Sequence, residues 1–68
     1  MELMDILKIK NLIKKAMDDE FVISVNRIQI ELLCGFRKAT KIKAYLISNK
    51  ITNERGEILI SFDDLKKL

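Results

Sequence analysis

The chain has 68 residues and a net charge of +3, with no histidine, one cysteine, two glycines and no proline. This length predicts one domain over residues 1–68 with a thin core, and the 49% share of apolar residues excludes a disordered chain. The missing histidines, the single Cys34 and the lack of a glycine-rich phosphate loop argue against an enzyme, a metal site or a bound cofactor.

A first helix is predicted over residues 2 to about 18, because apolar residues recur there at helical spacing. Its stripe consists of Ile6, Ile9, Leu12, Ile13, Ala16 and Met17, and the width of this stripe suggests a homodimer interface. Acidic residues at the start and Lys8 and Lys10 beyond them argue against a signal peptide, and no apolar run reaches membrane-spanning length. We therefore expect a cytoplasmic protein without a membrane partner. The acidic residues 18–20 fit a solvated turn better than a cation site.

Residues 21–23 are β-prone and predict one brief strand. Ser24 is a good N-cap for a second helix over residues 25–33. Gly35 suits either a left-handed helix C-cap or a tight turn between helices, and Cys34 beside it is expected to be a small core residue. A third helix from about Arg37 to Asn49 should bury Ala39, Ile42 and Leu46.

Two strand-like segments, 51–53 and 57–61, flank turn residues in which Gly56 is free to take a positive φ. Ser61 and Asp64 resemble a capping box for a last helical turn over residues 62–68. Two short helices joined by a glycine-containing turn and followed by a hairpin are typical of a small winged helix-turn-helix domain. The expected fold class is thus α+β and mostly α, with a three-helix core, a short strand and a β-hairpin wing.

The basic charge is concentrated in the middle of the chain. Residues 24–50 carry six basic side chains and one acidic side chain, a net charge of +5, whereas residues 1–23 and 51–68 each carry a net charge of −1. The third predicted helix has Lys and Arg but no acidic residue. A local excess of this kind indicates phosphate binding, although a lysine-rich helix face is often only a soluble surface.

The predicted core stripe turns Arg37, Lys38, Lys41 and Tyr45 outward. The early turns of a recognition helix meet base edges in the major groove, so Arg37 and Thr40 are candidates for base reading. Arg55 at the hairpin tip would reach the neighbouring backbone or minor groove. The remaining candidates for phosphate contact share a basic side chain in the central segment and are Arg27, Lys38, Lys41, Lys43 and Lys50.

The run Cys34-Gly35-Phe36-Arg37-Lys38-Ala39-Thr40-Lys41, followed by Ile42, Leu46 and Ile51, resembles the start of the recognition helix in the gamma domain of the bacterial DNA translocase FtsK. The resemblance implies a winged helix in which Arg37, Lys38 and Lys41 read duplex DNA. This chain has Arg37 where that family has Asn, and Lys41 where it has Arg. A free-standing domain of this size also resembles small transcriptional regulators and plasmid or viral DNA-binding proteins.

Two functions of different classes follow. The first is a double-stranded DNA-binding protein, a transcriptional regulator or an accessory of replication or segregation, acting in two copies because one small module buries little DNA surface. The second is a winged-helix protein-protein interaction module, a small subunit of a replication or transcription complex. In that case the basic surface would meet an acidic partner.

Overall fold

A computed structural model describes the backbone of residues 3–67 and the side chains from Asp5 to Lys67. Within these residues the chain forms four α-helices, which are α1 (Leu3–Asp19), α2 (Val25–Leu32), α3 (Phe36–Ser48) and α4 (Phe62–Lys66). Helix α2 packs on both α1 and α3, and α4 packs on α1. The described residues contain no β-strand, so the predicted α+β winged fold is wrong and the architecture is all-helical.

Helix α1 supplies one wall of the core. Ile9, Leu12, Ile13 and Ala16 are buried, which confirms these four residues of the predicted stripe. Met17 packs at its edge, and Ile6 is only half-buried. Burial of these side chains stabilises the helix mainly through the hydrophobic effect. The stripe that suggested a dimer interface therefore faces the protein's own core.

Helix α2 begins as the sequence predicts, because the Ser24 hydroxyl accepts a hydrogen bond from the Arg27 backbone N–H at 3.1 Å. It ends differently. The left-handed residue at its C-terminus is Leu33, with φ 51°, and not Gly35. Gly35 has φ −78° and is the N-cap of α3. The left-handed cap predicted for Gly35 is wrong, whereas the tight turn between two helices is confirmed.

Helix α3 buries Ala39, Ile42 and Leu46, the three core residues predicted from their spacing. Its last turn is held by the chain that follows. The Leu46 carbonyl accepts hydrogen bonds from the backbone N–H groups of Ile51 at 2.9 Å and Thr52 at 3.3 Å. Carbonyls at a helix C-terminus otherwise lack partners within the helix.

The predicted β-hairpin wing is absent from the described residues. One isolated antiparallel bridge joins Thr52 and Ile58, and the backbone N–H of Leu59 donates to the Ile51 carbonyl at 2.8 Å. Longer pairing does not form because Ile51 and Thr52 of the first arm give their N–H groups to the end of α3, while the Asn53 N–H donates to the Glu57 carbonyl at 3.1 Å. The Asn53 side chain also accepts the backbone N–H groups of Arg55 and Glu57, as in turns closed by Asn.

The predicted strand over residues 21–23 is also wrong. This segment forms no strand, and its link to the loop after α3 is the hydrogen bond from the Ile23 N–H to the Gly56 carbonyl at 2.8 Å. Gly56 takes φ +86°, as the turn chemistry predicts, and a Cβ added there would lie 2.3 Å from the Ile23 carbonyl oxygen. Only glycine fits this close backbone approach.

Helix α4 closes the core. Ser61 and Asp64 form the predicted capping box, with side chain and backbone bonded in both directions. The helix buries Leu65 among the core residues. Along the described part of the chain, no helix combines the length and apolarity needed to span a membrane.

Candidate nucleic-acid interface

The outer face of α3 is basic and is not used by the core. Arg37 and Lys41 are exposed and stand one turn apart, on the side of the helix opposite Ala39 and Ile42. Thr40 is exposed between them, and its hydroxyl donates a hydrogen bond to the Phe36 carbonyl at 2.9 Å. The fold therefore brings together Arg37, Thr40 and Lys41 of the predicted site.

The start of α3 is poorly built for helix stability. Gly35 makes no side-chain cap hydrogen bond, and the first turn contains no acidic residue. Arg37 and Lys38 in this turn lie near the positive end of the helix dipole, where cations are unfavourable. By contrast, α2 is capped by Ser24. Helix α4 has a complete capping box and two acidic residues in its first turn. Local conflicts of this kind are expected at functional sites, where binding sets the residue choice.

Lys38 lies at the side of this face. Its Nζ is 2.9 Å from Oδ1 of Asp5, with the Lys38 side chain 51% exposed and the Asp5 side chain 15% exposed. Lys38, Lys41 and Asp5 line one shallow depression between α1 and α3. The Asp5 carboxylate thus reduces the positive potential at this edge of the basic face and fixes Lys38 against α1.

Two predicted site residues of α3 have structural contacts instead. The Lys43 ammonium donates to the Ile23 carbonyl at 2.9 Å, which ties α3 to the segment before α2. Tyr45 was expected to face outward, but it is half-buried and packs against the core. Helical geometry places both residues on the flanks of α3 and away from its outermost line.

Arg27 is already engaged on α2. Its guanidinium lies 3.8 Å from the centroid of the Phe21 ring and 3.6 Å from the Glu31 carboxylate. The same carboxylate is 2.9 Å from the Lys15 ammonium. These contacts satisfy the Arg27 charge within the protein, so this residue is a weaker candidate for phosphate contact than Arg37.

Lys50 and Arg55 lie beyond the C-terminal end of α3. Lys50 is exposed with φ 58°. Arg55 is at the tip of the loop, with an 86% exposed side chain that is 4.0 Å from the Glu57 carboxylate. Since the wing is absent and Glu54 and Glu57 are neighbours in the loop, Arg55 is not placed on a basic hairpin.

The sequence reasoning missed the exposed positions of Phe36 and Ala44 on α3. Phe36 at the first position of the helix is 68% exposed, and Ala44 is exposed two turns later. Their signal was available in the sequence, because Phe36, Thr40 and Ala44 follow at intervals of four residues and therefore share one line of the helix surface.

Residues 18–20 are exposed at the end of α1, as expected for a solvated turn. Among the side chains that the structure describes, no group of three His, Cys, Asp or Glu residues is arranged to hold a metal ion. Cys34 is half-buried against the core.

Comparison of the chain with protein families, with curated proteins and with solved structures finds no match.

Proposed function

We propose that the protein binds double-stranded DNA through the outer face of α3, as a transcriptional regulator or an accessory of replication or segregation. The observation that carries this proposal is the pair of exposed cations Arg37 and Lys41 on a helix without acidic residues. The three-residue connection between α2 and α3 has the length and glycine content of a helix-turn-helix motif. A binding helix in such a motif presents its early turns to the major groove.

Electrostatics would supply most of the affinity. Lysine and arginine that neutralise phosphates release condensed counterions, so binding should weaken steeply as salt rises. Arg37 has the fork geometry to grip guanine, whereas Lys41 is suited to phosphate. From the resemblance of residues 34–41 to the FtsK gamma domain we keep one expectation, that Arg37, Lys38 and Lys41 contact duplex DNA. Two copies on one site would increase the DNA surface covered.

The test is a fluorescence-anisotropy titration of a labelled random-sequence duplex at low and moderate salt. The Arg37→Ala/Lys41→Ala variant should bind at least tenfold more weakly, and the slope of log affinity against log salt should fall by about two. The matched control is Lys66→Ala/Lys67→Ala, which removes the same charge from exposed positions outside α3. Equal losses in both variants, or no binding at low salt by the folded protein, would contradict the proposal.

A protein-protein interaction module is the second candidate, as a small subunit of a replication or transcription complex. The observation that favours it is the exposure of Ile30 at 55% and Leu33 at 91%, one turn apart near the end of α2. Exposed apolar patches mark interaction surfaces when they are contiguous. A partner that co-purifies with the wild-type protein should be lost from Ile30→Ser/Leu33→Ser but retained by Arg37→Ala/Lys41→Ala. The opposite pattern would assign the partner to the basic face.

A further inference from the structure

An apolar line runs along the outer face of α3. Phe36, Thr40 and Ala44 are all exposed and occupy successive turns of the same helix surface. Phe36 alone leaves about two thirds of its surface in water, at 68%. These three side chains are free of the core, which Ala39, Ile42 and Leu46 occupy on the other side of the helix.

Thr40 presents itself to a ligand mainly as an apolar group. Its hydroxyl hydrogen is committed to the Phe36 carbonyl at 2.9 Å, a bond from residue i to residue i−4 that recurs in helices. While this bond persists, the hydrogen is not available to a base acceptor. The γ-methyl group is then the distinctive feature of Thr40 on the line between Phe36 and Ala44.

The cations beside this line identify its partner. Arg37 and Lys41 lie along one side of it, and α3 carries no acidic residue, so a polyanion is favoured over a neutral apolar partner. Besides Phe36 the line consists of Thr40 and Ala44, two small side chains that provide no large apolar anchor of the kind that dominates protein interfaces. A groove that admits a helix between two rows of phosphates fits this surface better.

The major groove contains one apolar group, the C5-methyl of thymine, and the side chains that contact it are Ala, Phe and the methyl of Thr. We infer that Phe36, Thr40 and Ala44 contact thymine methyl groups, so that the protein prefers duplexes with thymines in the major-groove path of α3. This inference rests on the proposed DNA binding and specifies what α3 reads. Arg37 and Lys41 would hold the helix in the groove through phosphate or guanine.

The experiment compares two A·T-rich duplexes of the same sequence, one with thymine and one with uracil at every thymine position. The two duplexes have the same charge and base pairing and differ in the C5-methyl groups. Wild-type protein should bind the thymine duplex more tightly, by about fourfold for each methyl group that it buries. Thr40→Ser removes only the γ-methyl and keeps the hydroxyl that bonds to Phe36, and Phe36→Ser tests the exposed ring.

Both variants should weaken binding to the thymine duplex by several-fold and leave binding to the uracil duplex nearly unchanged. Salt-sensitive binding of the wild type with equal affinity for the two duplexes would overturn methyl reading and leave the proposed DNA binding intact. If the folded wild-type protein binds neither duplex at low salt, both proposals are wrong and the apolar line belongs to a protein interface.

Discussion

The turn before α3 leaves Leu33 and Gly35 exposed, whereas the loop after α3 buries Ile51, Thr52 and Gly56. Leu33 in the turn is 91% exposed, and a Cβ placed on Gly35 would meet no atom within 4 Å. In the loop, Ile51 and Thr52 are buried, and Gly56 lies against the Ile23 backbone. Helix α3 is therefore anchored at its C-terminal end, and the end that carries Arg37 is open to a ligand.

This difference indicates how a chain of 68 residues can tolerate the unfavourable start of α3 at the candidate binding surface. A small domain has little stability to spare, so an uncapped helix start with cations near the positive dipole end must be offset elsewhere. The backbone bonds at the end of α3 and the close approach of Gly56 to Ile23 supply part of that offset. We therefore expect mutations in the turn before α3 and mutations in the loop after α3 to change the free energy of unfolding differently.

The largest effect is expected for Gly56→Ala. Alanine at φ +86° is strained, and its Cβ would meet the Ile23 carbonyl oxygen at 2.3 Å. The strain and the displaced hydrogen bond together should lower the free energy of unfolding by about 2–4 kcal/mol. Urea denaturation followed by far-UV circular dichroism measures this loss. The control is Gly35→Ala, where space is open and the change should stay within about 0.5 kcal/mol. Similar losses at both glycines would contradict the comparison.

The four helices and most of the core followed from the sequence because hydrophobic periodicity is a local signal. The stripes containing Ile13 and Leu46 are buried as their spacing predicts, and Ser24 and Ser61 cap helices because capping needs only nearby backbone groups. The wing failed because strand pairing depends on which backbone groups remain available in the tertiary structure. The N–H groups of Ile51 and Thr52 are taken by α3.

In the candidate site, too, the sequence predicted the features that depend on local pattern and missed those that depend on tertiary contacts. Charge segregation and the spacing of the buried residues predicted that Arg37 and Lys41 would be exposed on one face. The contacts that engage Lys38 and Lys43 join residues far apart in the chain, Lys38 with Asp5 in an ion pair and Lys43 with Ile23 in a hydrogen bond. Composition and periodicity carry no information about such pairs, so the sequence could not separate structural lysines from available ones.

Leu33→Gly is expected to change the free energy of unfolding less than Gly56→Ala does, and in the opposite direction. Leu33 adopts the left-handed conformation at φ 51°, which is unfavourable for a residue with a Cβ by about 1–2 kcal/mol. Glycine relieves this strain but gains freedom in the unfolded chain, so the free energy of unfolding should rise by about 0.5–1 kcal/mol. Leu33→Ala keeps the strain and should leave stability nearly unchanged. A destabilised glycine variant in the same urea titration would show that the exposed leucine makes a stabilising contact.

The smallest effect on stability is expected for Arg37→Glu. An acidic residue in the first turn of α3 interacts favourably with the helix dipole, so the free energy of unfolding should rise by about 0.3–1 kcal/mol. If the proposed DNA binding holds, affinity for duplex DNA should fall by more than tenfold, since the charge at this position changes from attracting the polyanion to repelling it. Lys67→Glu makes the same change in net charge at an exposed position after α4, and it should weaken DNA binding far less.

If both variants lose affinity equally, the loss reflects net charge and not the face of α3. If Arg37→Glu instead destabilises the protein, the arginine is kept for folding, and the open start of α3 loses its functional explanation.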